Sequence, residues 1–283
     1  MQCYLCQSSE FANRKGVVRD APGLGVVQCV QCGLVTLSSQ DHIHQGFYES
    51  SGMHGAEPVS MDAWLKDTAW DDQRRFEMLK PLLANKKVLD FGCGAGGFLE
   101  RAQVLAAEVT GIELETRVCA HWQGKLNVIA DVSLADDSYD LITAFHVIEH
   151  LPDPRSMLSR LSSLLSSNGR MVVEVPSSED ALLTLYDCDA FQRFTYWSQH
   201  LYLFNASTLE TLVRQAGLRV IALQHYQRYS LANHLHWLSQ SKPGGHMQWE
   251  FLDTPEVKQA YASSLSAIGK TDTLIVHLQK MMP

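Results

Sequence analysis

No stretch of about eighteen apolar residues occurs in this 283-residue sequence, so none of it reads as a membrane-spanning helix. The N-terminus, MQCYLCQSSE, lacks the basic segment and apolar run of a secretory signal, which makes a cytoplasmic location the expectation. Dense basic runs are missing too: 23 Lys and Arg stand against 31 Asp and Glu, for a formal net charge of -8. Nucleic-acid binders draw much of their affinity from neutralising phosphates, so this balance argues against RNA or DNA as the substrate. Charged residues make up only 19% and apolar ones 46%, the proportions of an ordinary globular chain. Its length suits one large domain, or a main domain with a small module.

Seven cysteines are present, and in a reducing compartment paired cysteines point to metal rather than to disulfides. Cys3 and Cys6 form one C-x-x-C, and Cys29 and Cys32, followed by Gly33, form another. Two thiolates on each of two tight turns supply the corners of a tetrahedral zinc. A segment of about 40 residues buries too little apolar surface to fold unaided, so a metal staple is expected. Residues 1–40 therefore read as a zinc ribbon with structural zinc on Cys3, Cys6, Cys29 and Cys32, and with short strands at GVVRD and GVVQC. With Arg14, Lys15 and Arg19 as its basic residues, the ribbon suits a structural or substrate-lid role better than nucleic-acid binding.

Residues 41–60 read as a polar linker, and the following stretch to residue 84 as an amphipathic helix capped by Ser60. From residue 85 to 283 the pattern alternates strands and helices, which implies a parallel sheet covered on both faces, with ligand at the carboxyl ends of its strands. The most informative stretch is KKVLDFGCGAGGFLERAQVLA, a short strand ending in Asp90, a loop with Gly92, Gly94, Gly96 and Gly97, and then a helix. Glycines there allow a tight turn and close approach of backbone to a ligand. The next strand, EVTGIELE, ends in Glu113, placed to hold both hydroxyls of a ribose. Asp131 follows at the end of a third strand, and Tyr139–Phe145 reads as a buried fourth. Further strands are expected at Met171–Val175, Arg219–His225 and Thr273–Leu278, with a capping box of Ser207 and Glu210 before the sixth. Residues 226–270 form an insertion, partly helical at SLANHLHWL, whose SKPGGH turn is a lid or substrate-contact candidate. Lys242 and His246 on that turn could meet a phosphate or carboxylate.

Between residues 86 and 225 the chain resembles the class I S-adenosylmethionine (SAM)-dependent methyltransferases, in their ubiquinone-methyltransferase-like branch. VLDFGCGAGGF matches that family's first motif, GIELE its ribose-binding acid, and DDSYDLITAFHVIEHLPDP its fourth-strand region. With its four-cysteine start, the chain is also similar to zinc-containing sugar C-methyltransferases. The resemblance implies a Rossmann-like α/β domain on a mixed seven-stranded sheet, with SAM as cofactor. It places Asp90, Gly92, Gly94 and Gly96 at the methionine part of SAM, Glu113 and Leu114 at its ribose, Asp131 and Val132 at its adenine, and His146 at the cofactor.

HVIEH, residues 146–150, is by itself a zinc-protease string, H-x-x-E-H. A protease needs it on a stable helix, whereas here a strand leads into His146, and Pro152 and Pro154 cut the next helix short. At the end of strand four the same residues face a methyl-transfer crevice, and His146, Glu149 and His150 share one side of a helical turn. His200, in an H-x-x-x-F segment that the family often carries, is a second candidate. His200, His150 and Glu149 are accordingly the catalytic candidates, with a histidine as general base. The alternative is a divalent ion near His146, Glu149, His150 and His200, as in relatives that carry an E-x-x-E-H string there; His146 in place of the first Glu removes an oxygen ligand. Arg193, Tyr196 and Trp197 could line a pocket for a polar ring. The expected activity is methyl transfer to a small polar acceptor, with a sugar, nucleotide-sugar or glycan precursor as candidates, by O- or C-methylation. The alternatives are an RNA methyltransferase and a non-catalytic SAM-binding or zinc-ribbon interaction protein.

Overall fold

The computed structural model describes residues 1–43, 59–135 and 138–281. Most of the linker expected over 41–60 lies outside these described residues. At the N-terminus, β1 (Phe11–Asn13), β2 (Val26–Cys29) and β3 (Val35–Leu37) pair antiparallel. Residues 16–20, expected as a strand, are not one. Gly16 takes φ +132° and lies against Tyr196, so that a Cβ would sit 2.3 Å from the ring. The chain there is held by the Tyr196 carbonyl, which accepts the Arg19 N–H at 2.9 Å, instead of by a partner strand.

α1 (Met61–Leu83) begins where Ser60 caps it, the hydroxyl accepting the Ala63 N–H at 3.2 Å. Beyond it β4 (Lys87–Phe91), α2 (Gly97–Ala102), β5 (Glu108–Ile112), α3 (Thr116–Trp122), β6 (Asn127–Ile129), β7 (Tyr139–Phe145), α4 (Pro154–Leu164) and β8 (Leu165–Pro176) alternate. The chain continues through α5 (Ala181–Thr184), α6 (Asp189–Thr195), β9 (Tyr202–Leu203), α7 (Ala206–Gln215) and β10 (Leu218–Tyr226). It ends with α8 (Leu231–Gln240), α9 (Gly245–Gln248), α10 (Pro255–Ala267) and β11 (Thr273–Lys280).

The main sheet has seven strands in the order β10-β11-β8-β7-β4-β5-β6. β4 to β8 pair parallel, and β11 runs antiparallel between β8 and β10, so the sheet is mixed. LITAF in β7 and MVV in β8 are buried without a break, and apolar except for Thr143, as parallel strands covered on both faces are. α1 packs on α2 over one face, and Leu79, Leu83, Phe98 and Leu99 are buried between them and the sheet. After β4 the chain steps to β5 on one side, while β7 lies on the other, which opens a crevice at the strands' carboxyl ends.

α7 carries a capping box, but Asn205 and Thr208 make it, not Ser207 and Glu210. The Asn205 side-chain oxygen Oδ1 accepts the Thr208 N–H at 2.8 Å, and Thr208 Oγ1 accepts the Asn205 N–H at 2.9 Å. β9 ends at Leu203, so the helix starts two residues earlier than expected, and Ser207 and Glu210 are left exposed. β3 pairs with β9 through Val35–Leu203 and Thr36–Tyr202, so the N-terminal sheet has a fourth strand supplied by the main body. Among the described residues no helix is long and apolar enough to cross a membrane.

Candidate active site

The glycine loop is shaped by its neighbours. Gly92 adopts φ +70° beneath Val147, where a Cβ would lie 2.4 Å from a methyl carbon. Gly96 adopts φ +83°, and a Cβ there would lie 2.5 Å from the Trp122 indole nitrogen, which donates to the Ala95 carbonyl at 2.8 Å. Only glycine meets both demands, left-handed backbone and no side chain. The loop walls a cavity of about 410 Å³, within the size range of small-molecule sites. Asp90, Gly92, Gly94, Glu113, Leu114, Asp131, Val132, His146 and His150 all line it. Gly96, Glu149 and His200 are not part of its lining, and act on it through the loop and through His146 and His150.

Glu113 ends β5 and stiffens the loop beside it. One carboxylate oxygen accepts the Gly94 N–H at 3.0 Å and the other accepts the Glu115 N–H at 3.2 Å. Asp131 is exposed at the cavity rim and caps the 3-10 turn Val132–Leu134, accepting the Ser133 N–H at 2.6 Å. Acid, glycine loop, acid and capped turn thus follow one another along a single cavity wall. α1 adds residues that the sequence did not mark as part of a site: Trp64, Thr68, Asp71, Asp72 and Arg75 also line the cavity. Arg75 lies over the Phe145 ring at 4.6 Å and bonds Glu174 at 2.9 Å, which puts a cation beside the glycine loop.

Asp90 is almost fully buried and accepts the Thr143 hydroxyl at 2.6 Å. Burial pushes its carboxyl up to about 7, although the Thr143 bond and the charge of Arg75 work against it. A carboxyl raised in the folded state favours folding below its ordinary value, and that contribution is lost as pH climbs through the folded value. Above about pH 7 the buried carboxylate then costs at most about 4 kcal/mol of stability. Between pH 5 and 8 the melting temperature of ligand-free protein should therefore fall more steeply for the wild type than for Asp90→Asn. Parallel curves would show that Asp90 does not titrate in this range.

At the other end of the cavity, His146 leaves β7 at φ +54°, and the chain enters the 3-10 turn Ile148–His150. HVIEH thus sits on a strand end and a single turn, not on a helix. His146 bridges two buried acids, with Nδ1 3.2 Å from Glu149 and Nε2 3.1 Å from Glu174. Burial would lower its pKa, but those two carboxylates outweigh it and hold the imidazole above its usual value. Glu174 also takes Arg74 at 2.7 Å, and Arg228 reaches both His146 and Asp71. Sequence reasoning missed this network, although a lone acid inside the apolar run MVVEV was its visible trace.

His150 Nδ1 lies 2.8 Å from the Gln199 carbonyl, and His200 Nδ1 lies 3.0 Å from the Thr195 carbonyl. A carbonyl only accepts, so both rings carry their proton on Nδ1 and present Nε2 as an acceptor. Burial holds both imidazoles neutral, His200 down to about 3, with His150 nearby adding to the effect. One ligand atom from each of Glu149, His150 and His200 lies within 4.8 Å of the others, and Glu149 Oε2 is buried with no hydrogen-bond partner among the described residues. These three groups suit a divalent cation, with the nitrogen-rich set favouring a transition metal over magnesium. Arg193, Tyr196, Trp197, Lys242 and His246 are not among the residues lining the cavity. The SKPGGH turn packs on α8, where the Lys242 carbonyl meets His236 Nδ1 at 2.8 Å.

The four ribbon cysteines are all free thiols, and their sulfurs lie within 4.8 Å of one another. Two of the pairs, Cys3–Cys32 and Cys6–Cys29, approach to 3.5 Å, close to the edge of about 3.8 Å in a tetrahedral zinc tetrathiolate. The donor set fits zinc.

Residues 63–223 match the family described as "Methyltransferase domain". The ubiquinone biosynthesis O-methyltransferase of Aeromonas salmonicida is 29% identical over 137 residues, covering 44% of this chain and 52% of that protein. The chain thus spans about half the length of that relative. The Bordetella pertussis enzyme of the same name is 27% identical over 186 residues, covering 60% of this chain and 72% of that one. A SAM-dependent methyltransferase structure from Archaeoglobus fulgidus superposes with a TM-score of 0.51 at 20% identity, covering 74% of this chain and 92% of that one. A chain from a Haloferax volcanii complex of a methyltransferase and its activator gives 0.51 at 16% identity, covering 79% and 98%. At such identities the structures speak for the fold alone. The family match spans more than half of the chain, and with the seven-stranded sheet and glycine loop it shows that the chain belongs to the methyltransferase-domain family, with the class I SAM-dependent fold.

Proposed function

We propose that the chain transfers a methyl group from SAM to a hydroxyl of a small polar acceptor. The observation that carries this is the continuity of one cavity from the glycine loop and Glu113 to His150, whose Nε2 is an acceptor nitrogen beside the buried Glu149. Bound there, SAM supplies an electrophilic methyl group. His150 Nε2 would take the proton of the acceptor hydroxyl as the O–CH3 bond forms and the S–CH3 bond of SAM breaks, with S-adenosylhomocysteine as the leaving group. The Gln199 carbonyl holds the ring in position, and the Glu149 carboxylate, 3.9 Å from Nε2, stabilises the imidazolium that forms. His200, held neutral far below its ordinary value, suits a role in orienting the acceptor more than in taking its proton. The O-methyltransferase relatives favour oxygen as the methylated atom. Ring hydroxyls such as those of quinol precursors therefore join sugars among the acceptors to be tried.

The test is release of S-adenosylhomocysteine with a panel of phenolic, sugar, nucleotide-sugar and RNA acceptors. His150→Ala should cut the rate with the best acceptor by about 10²- to 10⁴-fold while calorimetry still shows SAM binding. A rate within about threefold of wild type removes His150 as the base. Best turnover on RNA would favour the RNA-methyltransferase alternative over a small acceptor.

A second reading has its own observation: Glu149 clusters with two neutral imidazoles, and its Oε2 is buried without a hydrogen-bond partner among the described residues. In it Glu149, His150 and His200 hold a divalent cation that would lower the pKa of the acceptor hydroxyl. Manganese titration followed by electron spin resonance distinguishes the two: tight binding lost in Glu149→Gln supports the ion, and no binding removes it.

A further inference from the structure

Residues 196–201 join α6 to β9 without regular structure of their own; one short backbone bond, from the His200 N–H to the Trp197 carbonyl at 2.9 Å, closes the turn. Their geometry is therefore set from outside, and the N-terminal ribbon sets it. Asp20 accepts both the Ser198 N–H at 2.9 Å and the Ser198 hydroxyl at 2.7 Å. His42 Nε2 meets the Ser198 carbonyl at 2.7 Å, and Thr36 donates to the Leu201 carbonyl at 2.8 Å. The Arg19 guanidinium lies 4.5 Å from the Trp197 ring, and Arg14 bonds the Tyr196 hydroxyl at 3.0 Å.

The other side of the same segment faces the histidines. Its Gln199 carbonyl takes His150 Nδ1, the Thr195 carbonyl at its start takes His200 Nδ1, and the Leu201 N–H donates to the Glu149 carbonyl at 2.9 Å. Ser198 and Gln199 are both buried, so water does not readily stand in for these partners. Six residues thus connect ribbon contacts on one side with the tautomer and orientation of two imidazoles on the other.

We propose that Asp20 is a positioning residue for His150 and His200, and that the four-cysteine ribbon braces the acceptor site from behind this segment, instead of being an appended module. Asp20 acts through Ser198: its two bonds hold the turn at Trp197–His200, and that turn keeps the carbonyls of Thr195 and Gln199 aimed at the rings. Zinc on the four cysteines would hold β3, which carries Thr36, and β1 and β2, which flank the turn that carries Asp20. Loss of the ribbon metal then reaches the histidines without touching the glycine loop. This rests on the placing of the two histidines at the acceptor end under the proposed function.

The experiment records ¹⁵N imidazole spectra of the full, zinc-loaded chain, with SAM affinity and methyl transfer measured on the same samples. In the wild type both rings should show the Nδ1–H tautomer. Asp20→Asn offers one acceptor oxygen where two bonds are made, so at least one ring should shift toward Nε2–H. Its transfer rate should fall by about tenfold or more, with SAM affinity unchanged within about twofold. Ser198→Ala, which removes only the hydroxyl bond and leaves the ribbon sequence intact, should shift the same signals in the same direction by less. Wild-type imidazole spectra in both variants overturn the proposal, even if Asp20→Asn lowers zinc content or stability. Failure of the wild type to bind SAM or transfer methyl would refute the proposed function instead, while the tautomer comparison still decides the role of Asp20.

Discussion

Replacing Glu149 by glutamine stops methyl transfer, by about 10²- to 10³-fold or more, while SAM binding persists. Glu149 is fully buried, with one oxygen 3.2 Å from His146 Nδ1 and 3.9 Å from His150 Nε2. Burial alone would raise its pKa, but the bond from His146, whose imidazole is held above its usual value, outweighs that and keeps it ionised. Glutamine keeps the shape and removes the charge. A proton arriving on His150 then has no counter-charge in a site of low dielectric, where such charge matters most. Under the ion reading the loss is equally large, because the one anionic ligand disappears. Folding suffers less, since His146 keeps Glu174 as a second acid at 3.1 Å. The measurement is S-adenosylhomocysteine release under saturating SAM, with calorimetry for SAM itself. A rate within about threefold of wild type would mean that the charge at Glu149 plays no part in the reaction.

Glu113→Ala gives the second large effect, on affinity instead of rate. SAM binding should weaken by about 100-fold, or 2–3 kcal/mol. If SAM lies along the cavity as the resemblance implies, the carboxylate is the charged acceptor offered to the ribose hydroxyls, and charge-assisted bonds of this kind are about twice as strong as neutral ones. It also accepts the N–H groups of Gly94 and Glu115, at 3.0 and 3.2 Å. Alanine would leave the Gly94 N–H of the glycine loop without that partner, so the loop loses order as well as its ligand contact. Glu113→Gln, which keeps one acceptor oxygen, should fall between the two. A loss below about fivefold in the alanine variant would place the ribose elsewhere in the cavity.

Much of the cavity was legible because its residues are close in sequence. Asp90, the glycine loop and Glu113 lie within two strand–helix turns, and the conformation demanded of Gly92 and Gly96 leaves few alternatives. His146, Glu149 and His150 were legible for the same reason, within five residues. The acid–base network around them was not. Arg74 and Asp71 read as the polar face of an amphipathic helix, yet they meet Glu174 and Arg228, about 100 and 157 residues away. Polarity on a helix face says nothing about whether water or a buried acid lies opposite. The strand misplaced at residues 16–20 and the misplaced capping box have one cause. Both depend on neighbours, Tyr196 for the first and the end of β9 for the second, that no local pattern encodes.

The sequence by itself determined the sheet's strands, the glycine loop, the acid after it and the four-cysteine cluster, since each is a property of backbone geometry or ligand spacing over a short span. Only the tertiary structure decided where the ribbon docks. β9 is two residues long, too short to register as a strand, and its pairing with β3 brings Asp20 and Thr36 against the segment that orients His150 and His200. That contact joins residues more than 150 positions apart, and it exists because burying the ribbon's apolar face on the main body is how so small a module gains a core.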